Sequence, residues 1–304
     1  MKGFDKLTTK KLYTWAEQAK SQTIKGQVCD RIPQLAVADP RWFAVHICCE
    51  SGQSFSYGDT ACVFPLMSVI KPFSLLYLLQ HLGADTVWQW VRVEPSAAPF
   101  NSLDQLIADN GHPRNPMINS GAITLADKFP GNDANQRTQL FCQWLNQSAG
   151  CQLQVDQVML ASVRLSHSPA NQAIANYLAT AGKLDNPEIA LDTYEQICCI
   201  SGKVKDLALL GKLLACENSW LATKHRQIVN AVMLTCGLYE ASAHFAAKIG
   251  LPMKSGIGGG LLAIVPGGGA IACYSPALDM VGNSVGAIAF VEALSPGLQL
   301  SIFG

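Results

Sequence analysis

The chain has 304 residues, 49% of them apolar and 14% charged, with 22 basic side chains against 22 acidic ones. That length buries one large core or two smaller ones, and the cancelled charge leaves no sequence-wide field to draw in nucleic acid or an anionic membrane. A small neutral or zwitterionic partner fits better.

The first twenty residues carry charge throughout and no apolar h-region, so the N-terminus does not read as a secretory signal. Residues 6 to 20 predict an amphipathic helix. The segment Trp42–Glu50, "WFAVHICCE", predicts a buried strand, and Ser51-Gly52-Gln53 turns it into a hairpin. From Ser68 to about Cys236 the apolar spacing is mostly helical, as in "FSLLYLLQHLG", "RTQLFCQWLNQSAG", "ANQAIANYLAT", "VKDLALLGKLLA" and "RQIVNAVMLTCG". Gly-punctuated strands return at about 254 to 264 and 269 to 275, followed by a closing helix from Asn283, a good N-cap. The apolar span Gly258–Tyr274 is too short and too Gly-rich for a bilayer helix. Strands at both chain ends therefore predict an α/β (α+β) fold in one unit, 1–304. Its mainly antiparallel sheet, flanked by helices, forms a subdomain of about 1–67 and 245–304, with an inserted all-helical subdomain of about 68–244.

Eleven cysteines without a secretion signal predict reduced thiols in a cytoplasmic protein, where cysteine acts as a small hydrophobe. No C-x-x-C occurs and the six histidines lie far apart, so no metal site is expected.

The stretch "LMSVIKPF" places Ser68 and Lys71 one helical turn apart. A serine hydroxyl needs a base within hydrogen-bond reach, and a lysine three residues later projects from the same helical face. The helix N-terminus and a second nearby cation favour the neutral amine, the form able to take the serine proton. Pro72 holds this pair to the helix start. A chain of this length contains about one S-x-x-K by chance, so the spacing alone does not decide. A second element, "PMKSGIGGG", puts Lys254, Ser255 and Gly256 on a predicted edge strand and offers the Ile257 backbone N–H to an oxyanion. It is not a P-loop, because Met253 precedes the lysine.

S-x-x-K opening the helical block, followed by K-S-G entering the late strands, resembles the serine β-lactamase and penicillin-binding (transpeptidase) superfamily. The long segments "IPQLA", "EPSAAPFNS", "PRNPMINSGAI", "MLTCGLYEAS", "GLPMKSGIGGG" and "SPALDMVGNSV" are similar to one branch of it, the glutaminases, which hydrolyse L-glutamine to glutamate and ammonia. The resemblance implies an acyl-enzyme with Ser68 as nucleophile, Lys71 as base and Lys254 and Tyr239 in the catalytic group. It further implies that Asn119, Asn171, Tyr194, Tyr239 and the Ile257 backbone hold substrate, that no cofactor is needed, and that the assembly is a homodimer or homotetramer.

Three matched positions depart from that pattern: Arg31 stands for a tyrosine, Met67 for a glutamine and Arg164 for a glutamate. The last reverses a charge at the residue suited to the substrate's α-ammonium group. Two added arginines suit a carboxylate or another anion, unless Arg164 turns to solvent or pairs with an acidic neighbour. The first reading is a glutaminase. The alternative is a divergent homologue acting on an amide without a free α-amine, or a catalytically weak, anion-binding regulatory relative.

Overall fold

The computed structural model describes residues 3–304. Its first helix, Thr9–Lys20, starts three residues later than the periodicity predicts, because Thr8 caps it with a side chain that accepts from the Lys11 backbone N–H. Strands β1 (Ala44–Cys49), β2 (Ser54–Gly58), β3 (Phe64–Pro65), β4 (Gln154–Val155), β5 (Ile200–Gly202), β6 (Met253–Ser255), β7 (Gly260–Val265) and β8 (Gly269–Tyr274) form two sheets. The larger is antiparallel in the order β2-β1-β8-β7-β6, so residues from both ends of the chain meet in it as expected. Strand β1 is paired on both edges, and all six of its residues are buried. That explains why it is apolar throughout except at His46.

The sheet follows a period of two across its thickness. Val45, Ile47, Leu261, Ala263, Ile271 and Cys273 face one core, which is covered by Thr9–Lys20 and the closing helix Val285–Leu298. Ala44, Cys48, Leu262, Ile264, Ala270 and Ala272 face the other, larger core, where the helix Val204–Ala215 lies on the sheet. Gly211 permits that approach. A Cβ there would sit 2.5 Å from that of Ala270.

Three details differ from the sequence reading. The strand predicted at 254 to 264 is two strands, broken where Gly256 N–H donates to Gly260 O at 3.0 Å and Gly259 takes a φ of 91°. The closing helix is capped by Ser284 rather than Asn283, whose side-chain carbonyl instead accepts from Ser255 Oγ at 2.5 Å. The predicted helical block also carries β4 and β5, which join β3 in the small sheet β3-β5-β4. Strands of two or three residues are too short to register as a periodicity. The helix Lys71–Leu82 is buried on every side from Lys71 to Leu79, so its first turn is held rigidly by the surrounding core. Among the described residues no helix is long and apolar enough to cross a membrane.

Candidate active site

Ser68 lies in a 3-10 turn, Met67–Ile70, that runs straight into the helix Lys71–Leu82 with Pro72 in its first turn. Met67 takes a φ of 46°, a left-handed conformation costly for a side chain of this type. The strain sits immediately before the serine, and backbone strain of this kind clusters at functional sites. The turn after β6 presses against this point: a Cβ on Gly256 would lie 2.9 Å from Leu66 O and 3.1 Å from Ser68 N, and one on Gly258 would lie 2.8 Å from Pro65 O. Between these glycines, Ile257 lines the same cavity as Ser68, and its backbone N–H has no acceptor among the described residues.

Lys71 is buried. Its Nζ donates to Met117 O at 3.1 Å and to Asn119 Oδ1 at 2.8 Å. Burial pushes its pKa down to about 8, with the neighbouring Cys198 thiol acting in the opposite direction. A neutral amine has two N–H bonds, and these two acceptors use both, which leaves its lone pair to take a proton. The loop holding Met117 is braced by Asn115, whose Oδ1 accepts from the backbone of Met117 and Ile118 and whose Nδ2 donates to Glu94 O. Gly121 sits so close that a Cβ would fall 2.0 Å from Asn115 O. This accounts for the Asn and Gly of "PRNPMINSGAI". Asn119 also accepts from Tyr194 Oη at 3.1 Å and donates to Asn171 Oδ1 at 2.8 Å, so Lys71, Asn119, Asn171 and Tyr194 form one connected network.

A second buried cluster adjoins it. Lys254 Nζ donates to Gly237 O at 2.9 Å and Ser255 O at 2.7 Å, and lies 4.3 Å from the centre of the Tyr239 ring. Burial, then the charge of Lys71, holds its pKa well below the ordinary lysine value. Tyr239, at a φ of 56°, donates to Ser255 O at 3.3 Å. Burial pushes its phenol up to about 12, against hydrogen bonding to Ser68 and Ser255 and the charge of Arg31. Strand β6 reaches this position because Gly237 has no side chain: a Cβ there would stand 1.7 Å from Met253 O.

The cavity that Ser68 opens into has a volume of about 400 Å³, and Arg31, Met67, Asn119, Asn171, Tyr194 and Ile257 all line it. This is within the range of small-molecule sites. Arg31 lies with its guanidinium 5.9 Å from the Phe100 ring centre, and Phe100 in turn packs on Tyr239 at 4.8 Å between ring centres. The expectation that Arg164 points into the pocket is corrected. Arg164 is absent from the lining, and its half-exposed guanidinium donates to Asp192 Oδ1 at 2.5 Å. A wider surface depression of about 570 Å³, lined by Asn135, Gln139, Gln143, Asn146 and Gln157, shares no residue with this cavity and contains no charged group.

Among the lining residues that the sequence reading gave no role are Phe100, Cys198 and Glu195. Phe100 lay in the quoted segment "EPSAAPFNS" but received no role. Cys198 follows Tyr194 by four positions and therefore shares its helical face. Glu195, next to Tyr194, is the cavity's carboxylate. Its adjacency to Tyr194, a residue expected to hold substrate, was the available signal.

An antiparallel sheet with helices on both faces, a serine at the start of a buried helix and a lysine-serine strand beside it define the serine β-lactamase-like class. Within that class, the family profile described as Glutaminase matches residues 26–303, and the chain belongs to the glutaminase family. A glutaminase of Synechocystis sp. is 44% identical over 295 residues, covering 95% of this chain and 89% of the relative. One of Methylobacterium nodulans is 39% identical over 302 residues, covering 95% and 96%. A structure of the Bacillus subtilis glutaminase YbgJ, in covalent complex with 5-oxo-L-norleucine formed from 6-diazo-5-oxo-L-norleucine, matches with a TM-score of 0.87 at 28% identity, covering 96% of this chain and 99% of that one.

Proposed function

We propose that this chain hydrolyses L-glutamine to L-glutamate and ammonia through an acyl-enzyme at Ser68. The observation that carries the reading is Lys71: a buried amine, one helical turn from Ser68, with a pKa lowered to about 8 and both neutral-state N–H bonds occupied. Ser68 Oγ attacks the side-chain carbonyl carbon and its proton passes to Lys71 Nζ. The oxyanion is held by the backbone N–H groups of Ser68 and Ile257. The C–N bond breaks as the leaving nitrogen takes a proton delivered through Tyr239, and ammonia departs. Water then attacks the ester, its proton returns through the same groups to Ser68 Oγ, and glutamate is released. Asn119, Asn171 and Tyr194 orient the substrate, and Lys254 holds Tyr239 in place. Membership of the glutaminase family and the covalent complex formed by the Bacillus relative support this reading. The alternative of an anion-binding homologue leaned on Arg31 and Arg164 together, and the pairing of Arg164 with Asp192 leaves it only Arg31.

The same reading makes residues 1–304 a single catalytic unit, with a sheet subdomain of about 1–67 and 245–304 and a helical subdomain of about 68–244, working in the cytoplasm as a homodimer or homotetramer. The buried free thiols are compatible with a reducing compartment. Ammonia release from glutamine, asparagine, N-acylated glutamine and glutaramate, compared side by side, tests the substrate. Glutamine is expected to lead the series, and Ser68→Ala to abolish turnover with an unchanged circular dichroism spectrum. Turnover retained in that variant removes Ser68 from the mechanism.

A further inference from the structure

We propose that Glu195 binds the α-ammonium group of the substrate, taking over the task that the sequence pattern assigns to the position now held by Arg164. The inference rests on glutamine being the substrate and names how its charged end is recognised.

The cavity lining has one carboxylate, Glu195, and one strong cation, Arg31. Neither is in a salt bridge, and Glu195 makes no side-chain hydrogen bond among the described residues. A partly buried carboxylate without a partner is costly, so a ligand cation that completes it is bound with corresponding preference. Burial, then the charge of Asp192, raises the Glu195 pKa, and the charge of Arg164 opposes this. The carboxylate is therefore a site that a fixed ammonium group would stabilise. One unpaired charge of each sign in the same small cavity matches a zwitterionic amino acid, with Arg31 available to its carboxylate.

Why Arg164 does not itself neutralise Glu195 is visible on the helix Pro187–Cys198. Asp192, three residues before Glu195, takes the Arg164 guanidinium at 2.5 Å, and its other oxygen accepts from Gln196 Nε2 at 3.1 Å. Asp192 thus holds the arginine outside the pocket and leaves Glu195 open to a ligand. Asp192 is a positioning residue, and Glu195 the binding one.

The test uses the full-length Ser68→Ala variant, which cannot turn over, so binding is read independently of hydrolysis. Calorimetric titration with L-glutamine and with glutaramate, which lacks the α-amine, is compared with and without Glu195→Gln. The expected result is a loss of glutamine affinity of at least ~30-fold, with glutaramate unchanged or tighter. Glu195→Asp should recover part of the loss. Asp192→Asn, which leaves the pocket lining intact, should weaken glutamine selectively by freeing Arg164 to pair with Glu195. An equal loss for both ligands, no loss for either, or wild-type selectivity in Asp192→Asn together with Glu195→Gln overturns the assignment, as does failure of glutamine to bind at all. A wild-type enzyme that binds glutamine through Glu195 yet releases no ammonia overturns the hydrolytic reading instead and leaves the ammonium site standing.

Discussion

Lys71→Met separates the stability of this fold from its chemistry. The drop in the Lys71 pKa from 10.5 to about 8 corresponds to about 3 kcal/mol against the folded state. The sign follows from proton linkage. The folded chain binds this proton more weakly than the unfolded chain, so the penalty is fully present below pH 8 and is relieved as the pH rises through 10.5. Methionine has a similar shape and removes the penalty, but it deprives Met117 O and Asn119 Oδ1 of a donor, at about 1 kcal/mol each. At pH 7 the variant should therefore be more stable than the parent by about 1 kcal/mol in urea unfolding, an advantage lost by pH 10, while its ammonia release falls to background. In the parent, kcat/KM should climb with pH through about 8, as Lys71 sheds its proton. Lys71→Arg should be as inactive as the methionine variant, because a guanidinium stays protonated. A variant that is less stable than the parent by the same amount at pH 7 and pH 10, alongside a parent pH profile flat from 6.5 to 9, would show that Lys71 is not the buried base.

Tyr239→Phe should lower kcat by ~100-fold or more with little change in KM, since it removes the proposed proton relay and leaves the ring packed between Lys254 and Phe100; a KM effect alone would reassign Tyr239 to substrate binding. Arg164→Ala should change kcat/KM on glutamine by less than ~3-fold and stability by less than about 1 kcal/mol, the range for an exposed ion pair. A rise of ~30-fold or more would place the guanidinium in the pocket after all.

The large-scale layout was legible because its signals are long. The helical repeats, the apolar β1 and the Gly-rich returns each span enough residues to show a period or a break. Chain ends that both read as strands left few alternatives to a shared sheet. The proposed catalytic pair was a different kind of signal: Ser68 and Lys71 stand three positions apart at one helix start, a spacing that local geometry alone places on one face. What could not be read locally depends on approach between distant segments. The 1.7 Å that a Gly237 Cβ would leave to Met253 O, and the 2.0 Å that one on Gly121 would leave to Asn115 O, define where Lys254 and Met117 sit, yet each glycine looks ordinary in its own segment.

Arg164 shows the limit most directly. Position in a motif specifies where a Cα belongs, but the direction of a long flexible side chain is decided by the charges around it. Arg164 is in the last turn of the helix Gln157–Leu165, where a cation is favoured by the helix dipole, and Asp192 on a neighbouring helix supplies an acceptor at 2.5 Å. Both influences draw the guanidinium away from the cavity. Read one position at a time, the sequence loses a negative charge where an ammonium group is expected. Read across the two helices, it gains Glu195 in the lining and Asp192 as a clamp on the arginine, so the cavity still presents a free carboxylate. A reversed charge at a binding position is therefore weak evidence for a changed substrate until the charges on the facing element have been counted. Here that count favours an unchanged zwitterion held by a relocated group.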